Sequence, residues 1–234
     1  VWECDAPGVQ AGMVYQYWVR GANGQSVAHC DPYGTAMTLR PDGRSIVSDA
    51  PKGFADDKWM QERTKCFDKP LNIYEVHAGS WRQKEDGSWY TYAELADLLP
   101  AYCKKNGFTH IELMPLAEHP FDGSWGYQTT GFFAPTSRYG TPDELVEFVN
   151  ACHKQGIGVI LDFVPVHFAV DAYGLKEFDG TSLYEYPAAA VGQSEWGSCN
   201  FMHSRGEIRC FIQSCADYWL RVFHADGLRM DAVS

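Results

Sequence analysis

Ile157-Gly158-Val159-Ile160-Leu161-Asp162-Phe163-Val164-Pro165-Val166-His167 is the stretch on which the fold turns. Ile157 to Val164 is apolar almost without a break, as strands covered on both faces of a parallel sheet are. Asp162 interrupts that run, and a carboxylate inside an apolar strand needs a reason beyond packing. Outward from it, Leu71 to Val76 and Thr109 to Met114 have strand character upstream, and Gly227 to Val233 supplies a fourth strand downstream. Helical patterns separate them. Thr91-x-x-Glu94 is a capping box ahead of Leu95, Leu98, Leu99 and Tyr102 on one face, with Pro100 set to kink that helix and Gly107 to end it. Thr141-Pro142-Asp143-Glu144 combines an N-cap, a proline at the first helical position and a glutamate at the third. Leu145, Phe148, Val149 and Cys152 give that helix its buried stripe, and Gly156 closes it. Arg205 to Phe223 is a third amphipathic helix, with Ile208, Phe211, Ile212, Cys215 and Trp219 inward.

Strands alternating with helices, with no hairpin between them, imply an α/β protein with a parallel sheet. Four such strands fit either half of a closed barrel or an open doubly wound sheet. After the first strand, Glu75-Val76-His77-Ala78-Gly79-Ser80 lacks the G-x-G-x-x-G spacing of a phosphate loop. The first half of a (β/α)8 TIM barrel is therefore the expected fold, spanning 71–234. Residues 1–50 are rich in Val, Tyr, Trp and turn signals such as Gly21-Ala22-Asn23-Gly24, which suits the end of a small β-sandwich. Residues 51–70 have the mixed, charged composition of a linker with one short helix.

The 234 residues carry 19 Lys and Arg against 30 Asp and Glu, a formal charge of −11 that opposes binding to nucleic acid or an acidic membrane surface. No apolar run approaches the roughly 20 residues that span a bilayer. Eight cysteines, without a Cys-x-x-Cys pair, fit a reduced cytoplasmic chain better than a disulfide framework. The chain opens on Val1 without an initiator Met, so its natural N-terminus is expected to lie further upstream.

Catalytic groups of barrels gather at the C-terminal ends of the strands. Asp162 to His167, Arg229 to Asp231 and the segment Glu118 to Gln128 qualify. Side chains two apart on a strand share a face, so Arg229 and Asp231 point the same way. A guanidinium beside a carboxylate favours its ionised form, which suits a nucleophile better than an acid. A structural ion pair is the other reading of that spacing. Metal ligation by Asp162, His167 and Asp231 finds no support in the spacing of the histidines. The long loop after the third strand carries Phe168, Tyr173, Phe178, Tyr184, Tyr186 and Trp196, a possible platform for sugar rings or ordinary loop packing.

Asp162 through His167 and Gly227 through Ser234 resemble the first two signature regions of the α-amylase superfamily, glycoside hydrolase family 13. Ile73 to Trp81, Glu118 to Gln128 and Phe133 to Pro142 are similar, more narrowly, to the 1,4-α-glucan (glycogen) branching enzymes. That resemblance implies Asp231 as the nucleophile and Arg229 as the neighbour that sets its charge. It implies that Asp162, His167 and Tyr127 hold the glucose at the cleavage subsite, Tyr127 by stacking, and that Trp125 and Gln128 line the same cleft. The amylase calcium ligand that precedes the signature histidine is replaced by Val166, so no metal and no cofactor is expected. Retaining chemistry needs two carboxylates about 5 Å apart. The resemblance puts the acid/base glutamate and a later His-Asp pair on strands after the fourth, so the chain is expected to be a truncated fragment, inactive alone. An α-glucan such as glycogen or amylose is the implied partner. The alternatives are an α-glucan hydrolase of the same superfamily, trehalose-releasing or debranching, and a non-catalytic glucan-binding protein.

Overall fold

The computed structural model describes residues 5–64 and 68–233; Cys4, Cys66 and Ser234 lie outside them. A short helix, α1 (Asp57–Glu62), precedes the alternating part of the chain. Strand β1 (Ile73–Val76) is followed by α2 (Tyr92–Lys105), β2 (His110–Leu113) by α3 (Pro142–Lys154), and β3 (Gly158–Phe163) by α4 (Gly206–Val222), before β4 (Gly227–Met230). The four strands form one parallel sheet in the order β4-β3-β2-β1.

The helices start where their capping residues dictate. Thr91 Oγ1 accepts from the Glu94 amide at 3.2 Å while Glu94 accepts from the Thr91 amide at 2.8 Å. Thr141 and Glu144 repeat the exchange at 3.3 and 2.6 Å. Helix α2 continues unbroken through Pro100, and its buried stripe is Tyr92, Leu95, Leu99 and Cys103. Leu98, expected inside, lies on the exposed flank. Leu145, Phe148, Val149 and Cys152 of α3 and Ile208, Phe211, Cys215 and Trp219 of α4 are buried, with Ile212 half-buried beside them.

Parallel pairing puts Val76, Leu113 and Leu161 in one row and Ile111 and Val159 in another, on the face the helices cover. Alternation sends Ile73, Glu75, Glu112, Ile160, Asp162 and Arg229 to the opposite face, where Ile73 and Glu75 are exposed.

Between β2 and α3 the chain makes an excursion that periodicity did not reveal. Ala117–Glu118 pairs antiparallel with Gly131–Pro135, and Phe132 O accepts from Trp219 Nε1 of α4 at 3.0 Å. The loop after β3 folds back likewise, His167–Phe168 pairing with Cys199–Asn200. Further upstream, Val14–Tyr15 pairs with Ser45–Ile46 and Tyr17–Arg20 with Ser26–His29, both antiparallel. Among the described residues, no helix is long and apolar enough to cross a membrane.

The expected helix in 51–70 is α1, and a buried polar cluster docks it. Asp226, just before β4, accepts from Trp59 Nε1 at 2.8 Å and from the Val159 amide at 2.8 Å, and pairs with Arg63 at 3.2 Å. His153 of α3 lies between Asp226 (3.0 Å) and Asp56 (2.7 Å), and Trp59 stacks on its ring with centroids 4.9 Å apart. Asp56 also meets His224 Nδ1 at 2.9 Å. Burial alone would raise the Asp226 pKa; the bonds from His153, Trp59 and the Val159 amide outweigh it and hold the carboxyl below its usual range.

A carboxylate with a depressed folded pKa stabilises above its unfolded pKa, and that stability is lost as pH falls through the folded value. Asp226→Asn should therefore lower unfolding free energy by about 3 kcal/mol at neutral pH. Urea melts should show this gap constant above about pH 5 and shrinking in acid; a gap that widens in acid would contradict the assignment.

Candidate active site

Strand register assembles the site. Pairing of β3 with β4 sets Arg229 opposite Asp162, flanked by the apolar pairs Leu228–Leu161 and Met230–Phe163. Arg229 Nη1 donates to both carboxylate oxygens of Asp162 at 3.1 Å and to Asp231 Oδ1. The Asp231 amide donates to Phe163 O at 2.9 Å, carrying the ladder one residue past β4 and fixing the backbone beneath that carboxylate. From the excursion after β2, the Tyr127 hydroxyl donates to Asp162 Oδ2 at 2.7 Å. Tyr127, Asp162, Arg229 and Asp231 thus form one connected cluster at the C-terminal end of the sheet.

The Asp162 side chain is 1% exposed, against 43% for Arg229 and 21% for Asp231. Burial pushes the Asp162 pKa up, only partly offset by Tyr127 and Arg229. The Tyr127 phenol is pushed up by burial and by the hydrogen bond it gives Asp162. For Arg229, burial opposes the charge, but bonds to Asp162 and Asp231 outweigh it and hold the guanidinium cationic. Glu112, on the same face of the sheet, is pushed up by burial and by the charges of Glu75 and Asp162.

His167 sits where the chain leaves β3. Its Nδ1 lies 3.0 Å from Ser198 Oγ and its ring 5.6 Å from that of Trp196. Burial lowers its pKa, opposed by the charge of Asp231. Gln128 Nε2 donates to Trp196 O at 3.3 Å, so Gln128 braces the loop facing His167. Trp125 stands apart: its ring is 56% exposed and neighbours His77, with centroids 6.4 Å apart. It has left-handed backbone (φ 54°) and precedes Gly126, where any Cβ would collide with Pro115 O.

The segment that carries Tyr127 is anchored by a buried ionic brace whose pairings the sequence-based expectation did not include. Glu118 Oε1 accepts from Arg138 Nη1 at 2.7 Å and from the Thr136 hydroxyl at 3.1 Å; its Oε2 accepts from the Ser137 amide at 2.8 Å. Arg138 continues to Asp122 at 2.7 Å, and Arg40, 82 residues before Asp122, donates to the same carboxylate at 2.6 Å. Hydrogen bonds from Arg40 lead in holding the Asp122 carboxyl at about 2. Arg138 falls inside a quoted motif, but nothing local in the sequence marks its partners.

The aromatic loop is mainly core. Phe168 packs on Phe201, Phe178 on His29, Tyr184 on Phe211, and Tyr173 against the cluster of Cys30, Met37 and Ala134. Trp196, at 57% exposure, is the large exposed aromatic of the loop. Among the described residues no three His, Cys, Asp or Glu side chains gather as metal ligands.

An α/β chain with a guanidinium between two carboxylates at the C-terminal strand ends has the plan of an enzyme of the TIM-barrel type. The family model for the alpha-amylase catalytic domain matches residues 59–181. Along its whole length the chain is 49% identical to a 1,4-alpha-glucan branching enzyme GlgB of Fusobacterium nucleatum and 50% identical to that of Nitrosococcus oceani. It spans 38% and 32% of those two proteins, about a third of their length. A solved structure described as a "Putative alpha Amylase from Salmonella typhimurium" superposes on 97% of this chain and 35% of its own, with a TM-score of 0.74 and 29% identity. The chain belongs to the alpha-amylase family, and its fold is of the α/β TIM-barrel type.

Because the folded pKa of Asp162 is raised, its protonated form favours the fold, and that contribution is lost as pH rises through the folded value. Asp162→Asn, which cannot ionise, should melt at a higher temperature than the parent at pH 7, the difference closing in acid. A lower melting temperature at pH 7 would mean that Arg229 more than compensates the buried charge.

Proposed function

We propose that the whole protein is a glycogen branching enzyme. It cleaves an α-1,4-glucan, holds the chain as a covalent glycosyl-enzyme and passes it to a 6-hydroxyl of an acceptor glucan. The observation that carries this reading is the 46–50% identity to proteins named 1,4-alpha-glucan branching enzyme, sustained from one end of the chain to the other. A hydrolase shares the covalent intermediate but has no comparable support, and a non-catalytic glucan binder has no use for the Arg229–Asp231 pair.

In the proposed chemistry an Asp231 oxygen attacks the anomeric carbon. A carbon–oxygen ester bond forms as the glycosidic bond breaks, and the departing oxygen takes a proton from an acid/base glutamate on a strand after β4. The acceptor 6-hydroxyl then attacks the same carbon, the ester breaks, and the hydroxyl proton returns to the glutamate. Arg229 balances the two carboxylates and aims Asp231. Tyr127, whose hydroxyl is engaged by Asp162, offers its ring face for stacking. Asp162 and His167 take sugar hydroxyls, and Trp125 and Gln128 line the cleft further out.

This reading makes the four strands the first half of a (β/α)8 barrel, with residues 1–50 the end of a β-sandwich and 51–70 the linker. The open face bearing Glu75, Glu112 and Arg229, opposite a face buried by helices, suits a barrel interior. A cytoplasmic setting is part of the reading, supported by the free thiols of Cys30, Cys103, Cys152, Cys199, Cys210 and Cys215.

Incubated with amylose, the full-length protein should lower iodine staining and create α-1,6 linkages while reducing ends barely rise. Reducing ends that climb in step with the lost stain would mean hydrolysis. Asp231→Asn should cut the rate by on the order of 10³-fold or more, and a fluorinated glycosyl donor should label Asp231. Label on another carboxylate would overturn the nucleophile assignment.

A further inference from the structure

The turn Ser194–Ser198 closes over His167 through a chain of hydroxyls whose proton directions the geometry determines. Ser194 Oγ accepts from the Trp196 amide at 3.2 Å and from the Ser198 amide at 3.2 Å. A hydroxyl oxygen has two lone pairs and one proton. With both lone pairs taken, Ser194 acts toward its remaining partner, Ser198 Oγ at 2.6 Å, as the donor. Ser198 is 1% exposed, so water does not supply it another partner. Having accepted from Ser194, it turns its own proton to the neighbour left, His167 Nδ1 at 3.0 Å. Burial favours neutral His167, and a neutral imidazole that accepts at Nδ1 carries its proton on Nε2. Among the described residues Nε2 makes no hydrogen bond, which leaves its N–H free to meet a ligand.

We infer that Ser194 and Ser198 are positioning residues that fix His167 in the Nε2–H tautomer, as a donor to a sugar oxygen rather than an acceptor. The sugar in that statement rests on the proposed function; the tautomer does not. The same turn carries Trp196, which lies against the His167 ring and is tied back to Gln128 through its carbonyl. The hydroxyl relay therefore sets both the proton on His167 and the place of the exposed indole beside it. Without the Ser198 hydroxyl, Nδ1 loses its donor and both neutral tautomers become accessible.

The test is a long-range ¹H–¹⁵N correlation spectrum of the full-length protein labelled with ¹⁵N-histidine, the His167 signals assigned by their loss in His167→Gln. The expected result is a protonated Nε2 and an unprotonated, hydrogen-bonded Nδ1. Ser198→Ala should mix the tautomers and lower kcat/KM on amylose about tenfold, a loss of one hydrogen bond's worth, while Ser198→Thr should keep both close to the parent. His167 protonated at Nδ1 in the parent, or an unchanged tautomer in a folded Ser198→Ala, would overturn the inference. Should Ser198→Ala not fold, the spectra of the parent and of Ser198→Thr still decide. An Nε2–H histidine in a protein without branching activity would count against the proposed function and leave the relay standing.

Discussion

Asp162 lies almost wholly out of water, and its charge is tolerated there because Arg229 and Tyr127 donate to it. That requirement acts on the sheet as a whole. Sliding β4 by one residue would set Leu228 or Met230 opposite the carboxylate and turn the guanidinium toward the helices. Electrostatics and the apolar rows on the other face thus specify the same register. The second donor, Tyr127, comes from the excursion after β2, so that loop too is held by the charge it serves.

Around this centre the molecule uses ionic knots where it lacks regular structure. Two-residue ladders such as Ala117–Glu118 cannot hold a loop by backbone hydrogen bonds alone. Glu118 and Arg138 supply the rigidity from within the loop, and Arg40 extends the brace into the N-terminal part of the chain. On the opposite end of the sheet, Asp226 plays the corresponding part for α1 and α3. Each knot joins segments far apart in sequence through buried or half-buried carboxylates, and each carboxylate is met by several donors, the condition under which buried charge is tolerable.

What could be read from the sequence follows from how local each signal is. Both capping boxes, the apolar run from Ile157 and the two-residue spacing of Arg229 and Asp231 are properties of short segments, and the structure reproduces them closely. The covered stripe of α2 is rotated so that Leu98 falls on its flank, because Tyr92 and Cys103 fill the core positions. The short antiparallel ladders were invisible, being too brief to show alternation. The loop aromatics were ambiguous for another reason: composition does not tell a ring that stacks on a sugar from one that packs on Phe211. Only the fold separates the exposed ring of Trp196 from that of Tyr184, which packs on Phe211. Ser198, Arg138 and Arg40 carried no local mark, since their partners are 31, 20 and 82 residues away.

The Asp226 knot also has a bearing on the order of events during synthesis. Trp59 and Arg63 bond to a carboxylate more than 160 residues further along. Local helices form within microseconds, but a contact of that separation must wait for the intervening chain and bear the entropy of closing so long a loop. Helix α1, six residues long, is too short to hold itself in water. As the chain is made, α1 therefore meets its partners in two instalments, His153 once α3 has formed and Asp226 only just before β4, and its full docking comes late although it is made early.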